Sequence, residues 1–285
     1  MQKDLVQADR ARVRRLGVSV VVVMALAALL LAGCDWKGPD PTAASVVGNG
    51  PFAYETIVVP SGNGFGGGTI YAPTDVTQGL YGAVALAPGF TEKQNVVQWY
   101  GPLLASNGFV VITIDTLGLY DLPPARGDQL LAALTYLTTT SAVAPRVDAN
   151  RLAVMGHSMG GGGSLEAAKK KPALKAAIPL APWDQTQDWS ANVTPTLIVG
   201  CQNDSIAPAA NHAVPFYDSL TSEKAYLEMA GVDHACPSST NTTIARYALS
   251  WLKRWVDGDT RYAQFLCPPP ATGTVISRYE ATCPY

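Results

Sequence analysis

Gly156-His157-Ser158-Met159-Gly160 has the form G-x-S-x-G. Residues 151–155 before it read as a short apolar strand. Glycines 160–163 after it lead into Ser164-Leu-Glu-Ala-Ala-Lys-Lys, which reads as a helix. Strand, tight turn and helix together hold such a serine at a strained angle, hydroxyl outward, at the carboxyl edge of a sheet. The flanking glycines let strand and helix approach without a Cβ clash. Without that context the stretch is only a Gly-rich turn with an incidental serine.

A serine hydroxyl needs a base, and the base needs an orienting acid. The chain has three histidines, His157, His212 and His234. His157 adjoins the serine, so its ring cannot readily curl back to it. His212 closely follows Asp204 and opens a helix. His234 follows the apolar run at 225–229, and serine, acid, histidine is the chain order this turn goes with. His234 is therefore the expected base. Three carboxylates compete to orient it. Asp204 follows the buried strand at 195–200, and Asp184 lies one strand earlier. Asp233 is a sequence neighbour of His234, and neighbours on an extended segment point opposite ways. Asp204 is the expected acid. The negative oxygen of a tetrahedral intermediate needs two N–H donors. Met159 supplies one, and Phe90 in Pro88-Gly89-Phe90-Thr91 supplies the other.

These residues must hang on a frame. Residues 52–60 and 68–71 read as a hairpin across a Gly-rich turn. Continuous apolar runs at 82–87, 109–115, 151–155, 176–180, 195–200 and 225–229 read as buried parallel strands. Helices are expected at 95–106, 125–138, 213–220 and 242–256. The second carries Leu130, Leu131, Leu134 and Leu137 on one face. The alternation gives an α/β fold, a mostly parallel sheet with helices on both faces and an antiparallel edge. Ligands in such sheets bind beyond the strand carboxyl ends. Phe90, Ser158, Trp183, Asp204 and His234 all fall there.

The chain has 285 residues, enough for one large α/β domain, and a net charge of −2, which gives no reason to expect nucleic acid. Residues 1–33 read as a leader, with Arg10, Arg12, Arg14 and Arg15 before an apolar run. Leu31-Ala32-Gly33-Cys34 resembles a bacterial lipobox, with cleavage before Cys34 and lipid on its sulfur. An uncleaved membrane anchor is the competing reading. Either way the arginines stay inside and the rest of the chain is extracytoplasmic. Removing the leader takes away five basic and two acidic residues and leaves a net charge of −5. Residues 34–50 read as the lipidated cysteine and a flexible tether, and 51–285 as the catalytic domain.

With Cys34 assigned to lipid, Cys201, Cys236, Cys267 and Cys283 remain, with three possible pairings. Pairing Cys267 with Cys283 would tie down a Pro-rich tail and leave Cys201 with Cys236. Buried free thiols are the alternative, less natural outside the cytoplasm.

Residues 156–165 (GHSMGGGGSL), Ala181-Pro-Trp183, residues 203–208 (NDSIAP), 109–115 (FVVITID) and 259–262 (DTRY) resemble the bacterial cutinases and polyethylene terephthalate hydrolases. The likeness runs from about Gly38 to the end. It implies an α/β-hydrolase without a lid domain, cutting esters in polyesters, cutin-like material or short-chain substrates. Family triad positions match Ser158, Asp204 and His234, and oxyanion donors match Phe90 and Met159. The aromatic-ring subsite matches Phe90, Trp183 and Ile206, and Thr91, His157 and His212 complete the expected cleft lining. Cys201 and Cys236 resemble an extra active-site disulfide found in the mesophilic members. Two acids that hold calcium in some relatives are Gln202 and Ala230 here, so no metal and no cofactor is expected. A monomeric catalytic domain, tethered to a membrane through Cys34, is the expected form. Two readings compete with a polyesterase. One is a small-ester carboxylesterase or lipase with the same triad. The other is a surface-tethered binding protein on a disused hydrolase fold.

Overall fold

The computed structural model describes residues 39–285. The expected leader, lipobox and Cys34 lie outside the described residues. Nine strands form one sheet, in chain order β1 (Tyr54–Val59), β2 (Gly68–Pro73), β3 (Tyr81–Ala87), β4 (Phe109–Ile114), β5 (Val147–His157), β6 (Ala176–Leu180), β7 (Thr196–Cys201), β8 (Lys224–Met229) and β9 (Ile276–Ala281). Their spatial order is β1-β2-β4-β3-β5-β6-β7-β8-β9. The stretch from β4 to β8 is parallel, while β1, β2 and β9 run antiparallel to their neighbours.

Alternation within β3 shows how the sheet serves two cores. Val84 and Leu86 face a layer built on α1 (Tyr100–Ser106) and α5 (Thr242–Trp255). Ala83, Ala85 and Ala87 face α2 (Pro123–Thr139) and α3 (Met159–Lys170). Small side chains on that second face let α2 and α3 lie close to the sheet. A third cluster, including Leu165, Trp189 and Phe216, packs α4 (Ala213–Ser219) beside α3. Among the described residues no helix is inserted between β6 and β7.

Four expectations need correction. The helix expected at 95–106 begins at Tyr100, after a 3-10 turn at Gln94–Val96. Gln94 is drawn off by tertiary bonds, its amide donating to Asp115 Oδ1 (2.8 Å) and its Oε1 accepting from Thr113 Oγ1 (2.8 Å). The tail beyond Cys267 is not merely loose, since β9 adds a strand to β8. The tether ends earlier than expected, because the compact unit begins at Asp40. Val46 is fully buried, Asn107 Nδ2 donates to Gly48 O, and Gly50 N donates to Ser106 Oγ. Leu131 lies at the margin of the apolar face of α2, only half-buried, while Arg126 and Gln129 occupy the buried side.

Candidate active site

Ser158 sits between β5 and α3 with φ of 55°, a left-handed conformation that non-glycine residues rarely adopt. Its carbonyl accepts from Gly162 N and Trp183 N, and its amide donates to Leu180 O, so the strained turn is held from both sides. A Cβ at Gly156 would collide with the Gly160 carbonyl, and one at Gly160 with the carbonyls of Ala87 and Pro88. Both glycines are therefore required by the close approach of β3, β5 and α3.

The Pro88-Gly89-Phe90 loop follows β3. Its nearness to the serine is direct, since a Cβ on Gly89 would lie 2.8 Å from Ser158 Cβ. Thr91, at φ 61°, carries a second strained turn and donates its amide to Leu119 O. Among the described residues, the amides of Phe90 and Met159 donate to no protein acceptor. Met159 is also the first residue of α3, where the helix dipole adds partial positive charge.

Asp204 follows β7 and His234 follows β8. His234 Nδ1 stands 2.6 Å from Asp204 Oδ2. The other carboxylate oxygen accepts from Ile206 N (2.9 Å) and Ala207 N (2.8 Å). Burial pushes the Asp204 carboxyl up, but the hydrogen bonds from His234 and these amides outweigh it, and the net shift is downward. Asp204 is thus an anion aimed at one ring nitrogen, which fixes the histidine tautomer. Ser158 Oγ makes no hydrogen bond among the described residues, as is common for such serines before substrate tightens the site.

The competing acids are engaged elsewhere. Asp184 Oδ1 accepts from Thr186 N, and burial, with the charge of Glu166 adding, pushes its carboxyl up to about 6. Asp233 turns to Ala235 N. The Asp204 and His234 loops are tied by Asn203 N to Val232 O, by Gly231 N to Gln202 Oε1, and by the Cys201–Cys236 disulfide with Cα atoms 6.2 Å apart. Cys267–Cys283 is the second disulfide.

Trp183 is half-buried and packs beside His212, ring centroids 5.8 Å apart, and His212 in turn abuts Phe216. Phe90 and Ile206 are exposed. His157 departs from expectation. It is 1% exposed and so cannot line the cleft. Its Nδ1 meets Glu92 Oε2 at 2.8 Å, and its Nε2 meets the His234 carbonyl at 3.0 Å. Among the described residues no group of three or more His, Cys, Asp or Glu could hold a metal ion.

Two residues were not anticipated. Glu92 accepts from Gly89 N (2.7 Å) as well as meeting His157. Arg126 is fully buried and donates to the carbonyls of Pro88, Leu119 and Asp121, so one guanidinium pins the loops after β3 and β4. Its signal was present in the sequence, as a charge one turn before Leu130 on the apolar face of α2. Glu92 gave no such signal, because its partners come from distant segments.

A mostly parallel sheet, a strained serine between strand and helix, and an Asp–His pair at the ends of β7 and β8 define an α/β-hydrolase. Comparison with known proteins narrows the class. The family model described as PET hydrolase-like matches residues 33–284. The bis(hydroxyethyl) terephthalate hydrolase of Streptomyces coelicolor is 49% identical over 99% of this chain and 95% of its own. Cutinase 1 of Thermobifida cellulosilytica is 50% identical over 87% of this chain and 98% of its own. A cutinase of Thermobifida fusca is 48% identical over 94% and 91%. The chain belongs to the PET hydrolase-like family and is a carboxylic ester hydrolase.

Proposed function

We propose that this enzyme cleaves ester bonds of solid polyesters through an acyl-enzyme on Ser158. Ser158 Oγ attacks the ester carbonyl while His234 Nε2 takes the hydroxyl proton. Asp204 holds the opposite N–H and steadies the imidazolium. The carbonyl oxygen, now negative, receives hydrogen bonds from the Phe90 and Met159 amides. His234 passes its proton to the departing alcohol oxygen, leaving the acyl group on Ser158. Water, deprotonated by His234, then releases the carboxylic acid and restores the serine. Trp183, Phe90, Thr91, Ile206 and His212 border the substrate.

The polymer reading rests on one observation, an apolar rim. Phe90, Leu117, Leu119, Tyr120, Leu122 and Ile206 are 39% to 71% exposed on the loops after β3, β4 and β7. Phe90 and Tyr120 touch edge-on at 5.4 Å. The rim is also stiff. Arg126 takes the Leu119 and Asp121 carbonyls, Gln129 takes the Leu117 amide, and Asp121 takes the Gly118 amide. The loop's polar groups are satisfied from within, so its leucines and tyrosine are left outward. Exposed apolar side chains gathered on loops at the strand carboxyl ends suit a binding face, and an open apolar face suits a flat polymer better than a small ester.

The relatives' names support terephthalate and cutin esters as substrates. Product release from an amorphous polyethylene terephthalate film, beside hydrolysis of a soluble chromogenic ester, is the test. Wild type should act on both, and Ser158→Ala on neither. Activity on the soluble ester alone would leave a carboxylesterase. We place the enzyme outside the cytoplasm, held by lipid on Cys34. The two disulfides and the sequence around Cys34 support that reading.

A further inference from the structure

The site contains a second carboxylate–imidazole pair that the ester chemistry does not use. His157 Nδ1 faces Glu92 Oε2 at 2.8 Å and Nε2 faces the His234 carbonyl oxygen at 3.0 Å. The carbonyl can only accept, and so can an ionised carboxylate. A neutral imidazole carries one N–H and would leave one of these contacts as lone pair against lone pair. Only the doubly protonated ring donates to both. Glu92 is held as the anion such a ring needs. Burial raises its carboxyl, but bonding to His157 and to Gly89 N carries the net shift downward. Because Glu92 Oε2 also accepts from Gly89 N, the pair runs unbroken from the loop bearing Phe90 to the loop bearing His234.

We propose that Glu92 and His157 form a buried ion pair that positions the His234 loop against the Phe90 loop, and that turnover depends on the second proton of His157. The proposal rests on the assignment of Ser158, Asp204 and His234 above. Both members are positioning residues, acting through backbone groups. The other charged groups in reach are few. The His234 ring lies 4.8 Å from the His157 ring, centroid to centroid, and is itself bonded to Asp204. Arg126, on α2, has its guanidinium pKa lowered by burial, which the charges of Asp121 and Glu92 only partly oppose. A lone cation at His157 would oppose the imidazolium that His234 becomes during catalysis. Glu92, whose carboxylate also feels the His234 charge, offsets that field. This explains a carboxylate where an amide would also accept the Gly89 bond.

Glu92→Gln keeps the size and an oxygen acceptor but removes the charge. On a soluble ester its kcat should fall roughly 10–100-fold, as for a base displaced by a fraction of an ångström. KM should change by less than about twofold, because no substrate contact is lost. Losing the carboxylate removes the anion that faces His157 Nδ1 and so loosens the bridge to the His234 carbonyl. Glu92→Asp, which keeps the charge, should restore part of kcat. Long-range 1H–15N correlation spectra of the Ser158→Ala protein at neutral pH give a direct readout. They should show both His157 nitrogens protonated, and a neutral ring once Glu92→Gln is added. A neutral His157 in the Ser158→Ala protein overturns the proposal, as does a Glu92→Gln enzyme with wild-type kcat. If Glu92→Gln does not fold, the nitrogen spectra of the Ser158→Ala protein still decide. A wild-type protein inert on every ester would instead sink the triad assignment, and those spectra would report on the ion pair all the same.

Discussion

Asp204 illustrates how much one carboxylate is asked to do. It accepts two backbone amides on one oxygen and His234 on the other, and its side chain is 1% exposed. Asp204→Asn keeps the shape but lets the amide donate to His234, selecting the wrong tautomer. A fall in kcat on the order of 10³–10⁴-fold is expected from steady-state kinetics on a soluble ester. The same residue links stability to pH. Its folded pKa lies below the ordinary value, so the anion's contribution is complete above the ordinary carboxylate range. It is lost as pH falls through the folded pKa. The melting-temperature gap between wild type and Asp204→Asn should therefore be constant near neutrality and narrow in acid. A gap that widened in acid would contradict the downward shift. Ser158, Asp204 and His234 are legible as candidates because each follows an apolar run, and runs of that kind mark strand ends. His157 was misread as a cleft residue because sequence gives adjacency to Ser158 but not the direction of a side chain. What turns it inward is Glu92, a contact between residues 65 positions apart.

At the scale of elements, continuous apolar runs revealed the parallel strands well, since burial on both faces leaves no room for polar residues. β9 escaped notice because it is an edge strand, Ile-Ser-Arg-Tyr-Glu-Ala, with only Ile276 and Tyr279 buried. The two disulfides act on different elements. Cys201–Cys236 spans 35 residues and joins the loops after β7 and β8, while Cys267–Cys283 spans 16 and anchors β9. Chain-entropy reasoning gives each about 3–4 kcal/mol, with the longer loop slightly ahead. The Cys201→Ala/Cys236→Ala protein should lose both melting temperature and kcat, the latter even well below melting. Its acid and base are otherwise tied only by loop hydrogen bonds. The Cys267→Ala/Cys283→Ala protein should lose melting temperature with kcat intact. Calorimetry and low-temperature kinetics separate the two. Equal stability losses with wild-type kcat in both would remove the catalytic role of the first bond.

At the scale of the molecule, the folded unit starts at Asp40, with Pro41 buried and Val46 fully so. Between Cys34 and Asp40 there are only five residues. A lipid on Cys34 would thus hold the catalytic unit close to a bilayer, within about 20 Å even with that linker extended. Metabolic labelling with a fatty acid should mark the wild-type protein and not Cys34→Ala, which should leave the membrane fraction or stay unprocessed. An unlabelled wild type that remains membrane-bound would favour an uncleaved anchor. Oxidation bears on manufacture. A reducing cytosol keeps thiols apart, so a batch made there emerges without the Cys201–Cys236 bond between its acid and base loops. The same polypeptide harvested from two compartments would be two catalysts, and specific activities can be compared only between batches with the same oxidation history.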